Sequence, residues 1–219
     1  MTQGRPSRFP DPRTGPGDAP LAVGGDCAPA TLLDAYAHGI FPWPADERTL
    51  LWWSPDPRAV IPLDGLHVSR SLRRTLRSQR FSCSVDAAFG QVVAGCAHRP
   101  GQGTWITAEL AGGYRRLHGL GHAHSVEVWD RSGRLVGGVY GVAMGAAFMG
   151  ESMFHRAADA SKVALVHLVE RLRAGGFVLL DAQLPTSHLA SLGAIEMARS
   201  QFLDRLAEAL RLPARFSDD

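Results

Sequence analysis

Between His124 and Phe154 the chain carries three apolar-alternating runs, "HSVEVWD", "LVGGVYGVAMG" and "AAFMGESMF", the first two joined by the turn sequence "RSGR". Period-two alternation broken by a short polar turn specifies an antiparallel meander, because a one-residue slip would turn every apolar side chain to water. A helical stretch from about Asp159 to Ala174 follows, with Asp159 as its cap and Gly175-Gly176 as its end. After it comes another β run, Phe177 to Asp181, and then an amphipathic helix in "MARSQFLDRLAEALR". The order β-β-β-α-β predicts an α+β fold, an antiparallel sheet with helices laid on it.

The first 122 residues read differently. Residues 1–20 hold five prolines and three glycines with almost no apolar period, which predicts a flexible tail or a loosely docked arm. "PATLLDAYAHG" predicts a short helix with proline at its start, and the prolines 42, 44, 55, 57 and 62 leave room only for short strands around Leu51 to Trp53 and Ala59 to Leu63. Ser69 to Gln79 is an amphipathic helix, "FSCSVD" a strand, and "DAAFGQVVAGCAH" a helix with Asp86 as N-cap. Thr107 caps the next helix, "TAELAGGYRRLHGLG". This divides the chain into a tail (1–20), a small mixed α/β domain (21–90) and a larger domain (91–219), the boundary falling between 65 and 122.

Composition narrows the function classes. With 219 residues, 45% hydrophobic and 20% charged, the chain can bury a core without a metal or disulfide staple. The absence of a bilayer-length apolar run or signal-peptide pattern predicts a cytoplasmic protein without membrane contact. Three cysteines without a C-x-x-C pair predict reduced thiols, and no histidine set has metal-ligand spacing, so neither metal nor cofactor is expected. A net charge of +2 is too small to argue nucleic-acid binding alone, so such an argument rests on where the arginines sit.

Four features carry possible chemistry. Asp181 and Gln183 share strand parity at the end of "GGFVLLDAQ", either an acid and amide at the floor of an active site or a strand end in water. Glu151 stands among Phe, Met and Gly in "FMGESMFH", where a carboxylate is paired, matched to a cationic ligand, or simply solvated. Trp43, Trp52, Trp53 and Trp105 offer stacking faces for a base or core bulk. Arg70, Arg73, Arg74 and Arg77 recur at i, i+3, i+4, i+7, a phosphate-binding face or a solvated one.

Together "GIFPW", "LWWSPDPRAVIP", "HVSRSLRR", "GTWIT", "YRRLHGLGHAHSVEVW", "LVGGVYGVAMG", "GESMFH", "DASKVAL", "LLDAQ" and "HLASLGA", in this order over residues 21–210, resemble the leucyl/phenylalanyl-tRNA–protein transferases. The resemblance implies a small N-terminal domain on a larger C-terminal one of GNAT-like topology. It implies transfer of leucine or phenylalanine, with methionine a further candidate, from charged tRNA to proteins that begin with Arg or Lys, marking them for degradation. By the same resemblance Asp181, Gln183 and Glu151 are the active-site residues, with the Gln183 carbonyl oriented by Asp181 toward the attacking amine. Asp181 and Glu151 make the site negative for the acceptor's basic side chain. Trp43 and Trp105 sandwich the terminal adenosine, Val139, Phe148, Leu168 and Leu180 form the aminoacyl pocket, and Arg70, Arg73, Arg74 and Arg77 meet acceptor-stem phosphates.

The family has Met where Val139 stands and Phe where Leu168 stands. Both changes remove bulk and leave the Leu versus Phe preference open. A monomer is favoured. Two other readings compete, an acyl-CoA-dependent N-acyltransferase of the GNAT type and a non-catalytic RNA-binding module.

Overall fold

A computed structural model of the chain describes residues 7–98 and 104–216. The elements in order are β1 (Ala22–Val23), α1 (Pro29–Ala37), β2 (Phe41–Pro42), β3 (Leu51–Trp53), β4 (Arg58–Val60), α2 (Arg70–Arg77), β5 (Phe81–Val85), α3 (Phe89–Ala97) and α4 (Ala108–Gly119). There follow β6 (Ala123–Asp130), β7 (Leu135–Met144), β8 (Ala147–His155), α5 (Ala160–Ala174), β9 (Leu179–Gln183), α6 (Ser187–Ser191), β10 (Ile195–Met197) and α7 (Arg199–Ala209).

Among the described residues seven strands form the main sheet, in the order β10-β4-β9-β8-β7-β6-β5. All neighbours are antiparallel except β8 and β9, which α5 joins as a parallel crossover. The α+β class, with a mainly antiparallel sheet flanked by helices, is therefore what the chain builds. A three-stranded sheet, β1-β3-β2, lies before it in sequence, and the two sheets part between Trp53 and Arg58.

The core has two halves, one on each face of the main sheet. One gathers Leu32, Tyr36, Val92, Tyr114, Tyr140, Met149, Phe202 and Leu206, from α1, α3, α4 and α7 with the sheet. The other gathers Leu72, Val139, Phe148, Leu168, Leu172 and Leu180, chiefly α5 against the opposite face. Two adjacent glycines in β7 make room for both layers. A Cβ on Gly137 would lie 2.6 Å from the Ala160 methyl of α5, and one on Gly138 would lie 3.0 Å from Val92 of α3.

Two predicted caps are corrected. Asp86 does not cap α3; it has φ 56° and accepts from the Ser125 N–H at 2.8 Å, with the His124 ring 2.7 Å away, tying the turn to β6. Asp159 precedes α5 but makes no side-chain cap bond. Its φ is 70°, and its carboxylate accepts from Thr75 of α2 at 2.8 Å, with Arg80 and Lys162 nearby. In both places a left-handed turn aims the carboxylate at a neighbouring element. Thr107 does cap α4, accepting from the Leu110 N–H at 3.2 Å.

Residues 7–20 run along the body as an irregular arm. Phe9 meets the Trp52 ring edge-on at 4.8 Å, and Arg13 pairs with Asp204 at 2.5 Å. Arg199 donates to the carbonyls of Gly15, Pro16 and Ser54 at 2.7, 2.8 and 2.7 Å. These contacts dock the arm on β3 and α7. Residues 1–6 lie outside the described residues. Among the described residues no helix is long and apolar enough to cross a membrane.

Candidate active site

Parallel pairing of β8 with β9 runs only from Ala147↔Leu179 to Met149↔Asp181, while β8 continues to His155. A cavity of roughly 980 Å³ opens beside the unpaired part of β8, lined from one side by Gly150 to Arg156 and from the other by Leu180 to Leu184.

Two register breaks shape this wall. Tyr140 pairs with Ser152 and Gly141 with Gly150, so Glu151 is the extra residue of a β-bulge. On β9, Val60 pairs with Asp181 and Ala59 with Gln183, so Ala182 is extra there, and Gln183 takes φ 64°. Bulges turn side chains out of strict alternation, and these two bring Glu151 and Gln183 together. The Gln183 Nε2–H donates to Glu151 Oε1 at 2.8 Å.

Asp181 is not the group that orients the Gln183 amide. Its carboxylate accepts the Gln183 backbone N–H at 2.9 Å and is clamped by Arg58, whose Nε–H and Nη2–H donate to its two oxygens at 2.9 and 2.6 Å. Arg58 and Asp181 are 1% and 0% exposed. The guanidinium also donates to the Gly39 carbonyl at 3.0 Å and lies between the rings of Phe41 and Phe202, at 4.7 and 4.4 Å. The Arg58 cation offsets much of the Asp181 charge, and what remains is still felt at Glu151, whose carboxyl it helps to raise.

Glu151 is 8% exposed and has no cationic partner among the described residues. Its Oε2 accepts a very short hydrogen bond from the Tyr114 hydroxyl, which lies 3.0 Å from that of Tyr36. Burial is the main cause that pushes the Glu151 carboxyl up to about 7, with the Asp181 charge adding to it and the hydrogen-bonded hydroxyls of Tyr114 and Tyr36 and the Gln183 amide opposing it. Burial, and next the nearby Glu151 charge, hold both phenols well above the usual tyrosine range.

Val139, Leu168 and Leu180 line an apolar part of the cavity with Ile61, Met153 and Leu165. Phe148, expected beside them, does not line it. Its ring is fully buried over Gly141 and stacks on Phe216 at 5.3 Å. Trp43 and Trp105 both line the cavity and stand together as expected, but they stack directly on each other, centroids 5.0 Å apart and planes 15° apart. A base between them requires the pair to open, since each ring-on-ring contact itself takes about 4.5–7 Å. Residues 99–103, just before Trp105, lie outside the described residues.

Arg70, Arg73, Arg74 and Arg77 are all exposed on α2, which Ser69 caps through the Leu72 N–H, and none of them pairs with a carboxylate among the described residues. They do not line the cavity. Among the described residues no three His, Cys, Asp or Glu side chains converge to hold a metal.

Sequence reading missed Arg58, Tyr36 and Tyr114. Arg58 had a detectable signal, a cation heading the apolar run Ala59 to Ile61, which must find a buried anion. The tyrosines had none, each being an ordinary core position on its helix.

Comparison with known proteins comes from three directions. The family model described as leucyl/phenylalanyl-tRNA protein transferase matches residues 60–207, and that of its N-terminal domain matches residues 25–56. A leucyl/phenylalanyl-tRNA–protein transferase of Anaeromyxobacter dehalogenans (strain 2CP-C) is 56% identical over 212 residues, 95% of this chain and 91% of that one. One from Nitratidesulfovibrio vulgaris (strain DP4) is 54% identical over 210 residues, 94% and 89%. Among solved structures, a GCN5-related N-acetyltransferase from Kribbella flavida overlaps 76% of this chain and 60% of its own, at 11% identity and a TM-score of 0.41. A likeness of that size carries no argument.

Proposed function

The chain belongs to the leucyl/phenylalanyl-tRNA–protein transferase family, and from that premise we propose that it moves Leu or Phe from charged tRNA to the N-terminal amine of proteins beginning with Arg or Lys. The product carries a new N-terminal residue that marks it for degradation in the cytoplasm. The observation that carries this reading is the cavity wall itself. An apolar pocket and the buried Glu151–Gln183 pair share one space of roughly 980 Å³.

The chemistry asks little of the protein. An aminoacyl ester is already activated, so the attacking amine forms a C–N bond to the ester carbonyl while the bond to the ribose oxygen breaks. The proton lost by the amine ends on that ribose oxygen. Because the Gln183 nitrogen is spent on Glu151, its Oε1 is left for the cavity and accepts no hydrogen bond among the described residues. In this reading Oε1 accepts from the neutral amine and aligns its lone pair with the carbonyl, a positioning effect. A free α-amino group titrates near about 7.7–8.0, so a useful neutral fraction exists at neutral pH.

Val139, Leu168 and Leu180 receive the aminoacyl side chain, with Phe148 as backing behind the wall. Trp43 and Trp105 part to hold the terminal adenosine. The acceptor's Arg or Lys side chain meets Glu151, the lining carboxylate that has no cation of its own among the described residues. The α2 arginines meet acceptor-stem phosphates. Incubation with labelled Leu-tRNA, Phe-tRNA or acetyl-CoA and an Arg-initiated peptide tests this. Label reaches the peptide N-terminus from the two tRNAs; label arriving only from acetyl-CoA, or from none, refutes the reading.

A further inference from the structure

We propose that Tyr114 and Tyr36, neither of which lines the cavity, are positioning residues that fix the direction of the Gln183 amide by acting through Glu151. This rests on the reading above, in which the Gln183 oxygen meets the attacking amine.

The argument is one of donors and acceptors. A carboxylate can only accept. With Glu151 Oε1 taking the Gln183 Nε2–H, the amide nitrogen must face Glu151 and the oxygen must face away from it. Oε2 takes the Tyr114 proton, so the Tyr114 oxygen is free to accept, and the Tyr36 hydroxyl 3.0 Å away supplies that donor. The chain Tyr36→Tyr114→Glu151←Gln183 therefore has one consistent set of directions, set by the charge at its centre.

Tyr36 and Tyr114 are 1% and 0% exposed, so water cannot substitute for either. They come from α1 and α4 on the far side of the sheet from α5, and each spends its only hydroxyl proton on this chain.

Protonation of Glu151 removes the constraint. A neutral carboxyl carries an O–H of its own, which can donate to the Gln183 oxygen or to the Tyr114 oxygen, and both amide directions become satisfiable. The groups around Glu151 are Tyr36 on α1, Tyr114 on α4, Tyr140 on β7 and Asp181 on β9, the last paired with Arg58 on β4. The carboxyl is pushed up to about 7, so this change falls within the working range.

The test is the pH dependence of kcat for wild type, Tyr114→Phe, Tyr36→Phe and Glu151→Gln, with saturating Phe-tRNA and an Arg-initiated peptide. Removing the Tyr114 hydroxyl takes away a donor that favours the charged carboxylate, so the acidic limb moves to higher pH. A hydrogen bond to a charge corresponds to a shift of about 1 pH unit or more. Tyr36→Phe moves the limb the same way by less, and Glu151→Gln has low kcat throughout, with only the amine's own limb left. The amine titrates nearby but identically in every variant, so the displacement between variants is the readout.

A purely structural role would lower kcat evenly at all pH values with the limb in place, and that result overturns the proposal. Should Tyr114→Phe fail to fold, Tyr36→Phe, one bond further out, decides the matter. If wild type transfers nothing, the functional reading fails by itself. Titration of the Glu151 carboxyl by carbon-13 NMR in wild type and Tyr36→Phe then decides the inference, an unmoved midpoint overturning it.

Discussion

Asp181→Asn removes the charge from a pair that has no water to fall back on. In the folded protein the Arg58 guanidinium spends two N–H groups on Asp181 and one on the Gly39 carbonyl, between two aromatic rings. Asparagine offers one oxygen, for which Arg58 and the Gln183 N–H compete, and sets an NH₂ against an arginine donor. Breaking a buried pair by removing one charge costs about 3–5 kcal/mol, mostly because the survivor stays buried and unpaired. For a chain of 219 residues each kcal/mol lowers Tm by about 2–4 °C, so the loss is roughly 6–20 °C. The double variant Arg58→Met/Asp181→Leu removes both charges and recovers most of that stability, since apolar replacements of buried pairs are often neutral. It stays inactive, because the Gln183 N–H has lost its acceptor. Urea unfolding and peptide transfer, measured in parallel on wild type, the two single variants and the double, test this. An Asp181→Asn protein within about 1 kcal/mol of wild type, or a double variant as unstable as the single, would refute the reasoning.

Glu151→Gln carries a pH-dependent stability difference. The folded carboxyl is raised from 4.5 to about 7, so the contribution of this group to wild-type stability is fully present below pH 4.5 and is lost as pH rises to 7, by about 3 kcal/mol in all. Glutamine does not titrate, so the variant gains on wild type between about pH 5 and pH 8; thermal melts with the same difference at both pH values would contradict it. Trp105→Ala weakens charged-tRNA binding by the worth of one stacked base, about 1–3 kcal/mol, checked by filter binding against the uncharged tRNA and free adenosine. Replacing Arg70, Arg73 and Arg74 by Gln lowers the slope of log K against log salt by about 0.7–0.9 for each phosphate no longer neutralised, and an unchanged slope returns α2 to a solvated face. Leu168→Phe narrows the apolar part of the cavity and shifts preference from Phe toward Leu by about 1–3 kcal/mol in kcat/KM, read from competing Leu-tRNA and Phe-tRNA in one reaction.

What the sequence made legible were features with a short period. The meander, α5 and the strand before Asp181 followed from alternation and helical spacing, whereas the parity expected to put Asp181 and Gln183 on one face is interrupted by the extra residue Ala182. The bulges did not show, because an extra residue at Glu151 or Ala182 leaves the local apolar pattern intact and appears only when the partner strand is known. Long-range partners were hidden for the same reason. Arg58 meets Asp181 across 123 positions and Tyr36 meets Tyr114 across 78, distances over which periodicity carries no information. Phe148 followed from resemblance as a wall residue, yet its ring found Phe216 and Gly141 instead, a packing choice made by the whole sheet.

The ring of Phe202 over Arg58 also sets an order on the protein's birth. Arg58 leaves the ribosome early, with neither Asp181 nor the aromatic face of α7 yet made. Roughly 140 residues separate it from Phe202, which is about 7–28 s of synthesis at about 5–20 residues per second. Through that interval its cation stays in water or on a temporary partner. The buried Arg58–Asp181 pair is closed late in translation, when α7 arrives to cover it.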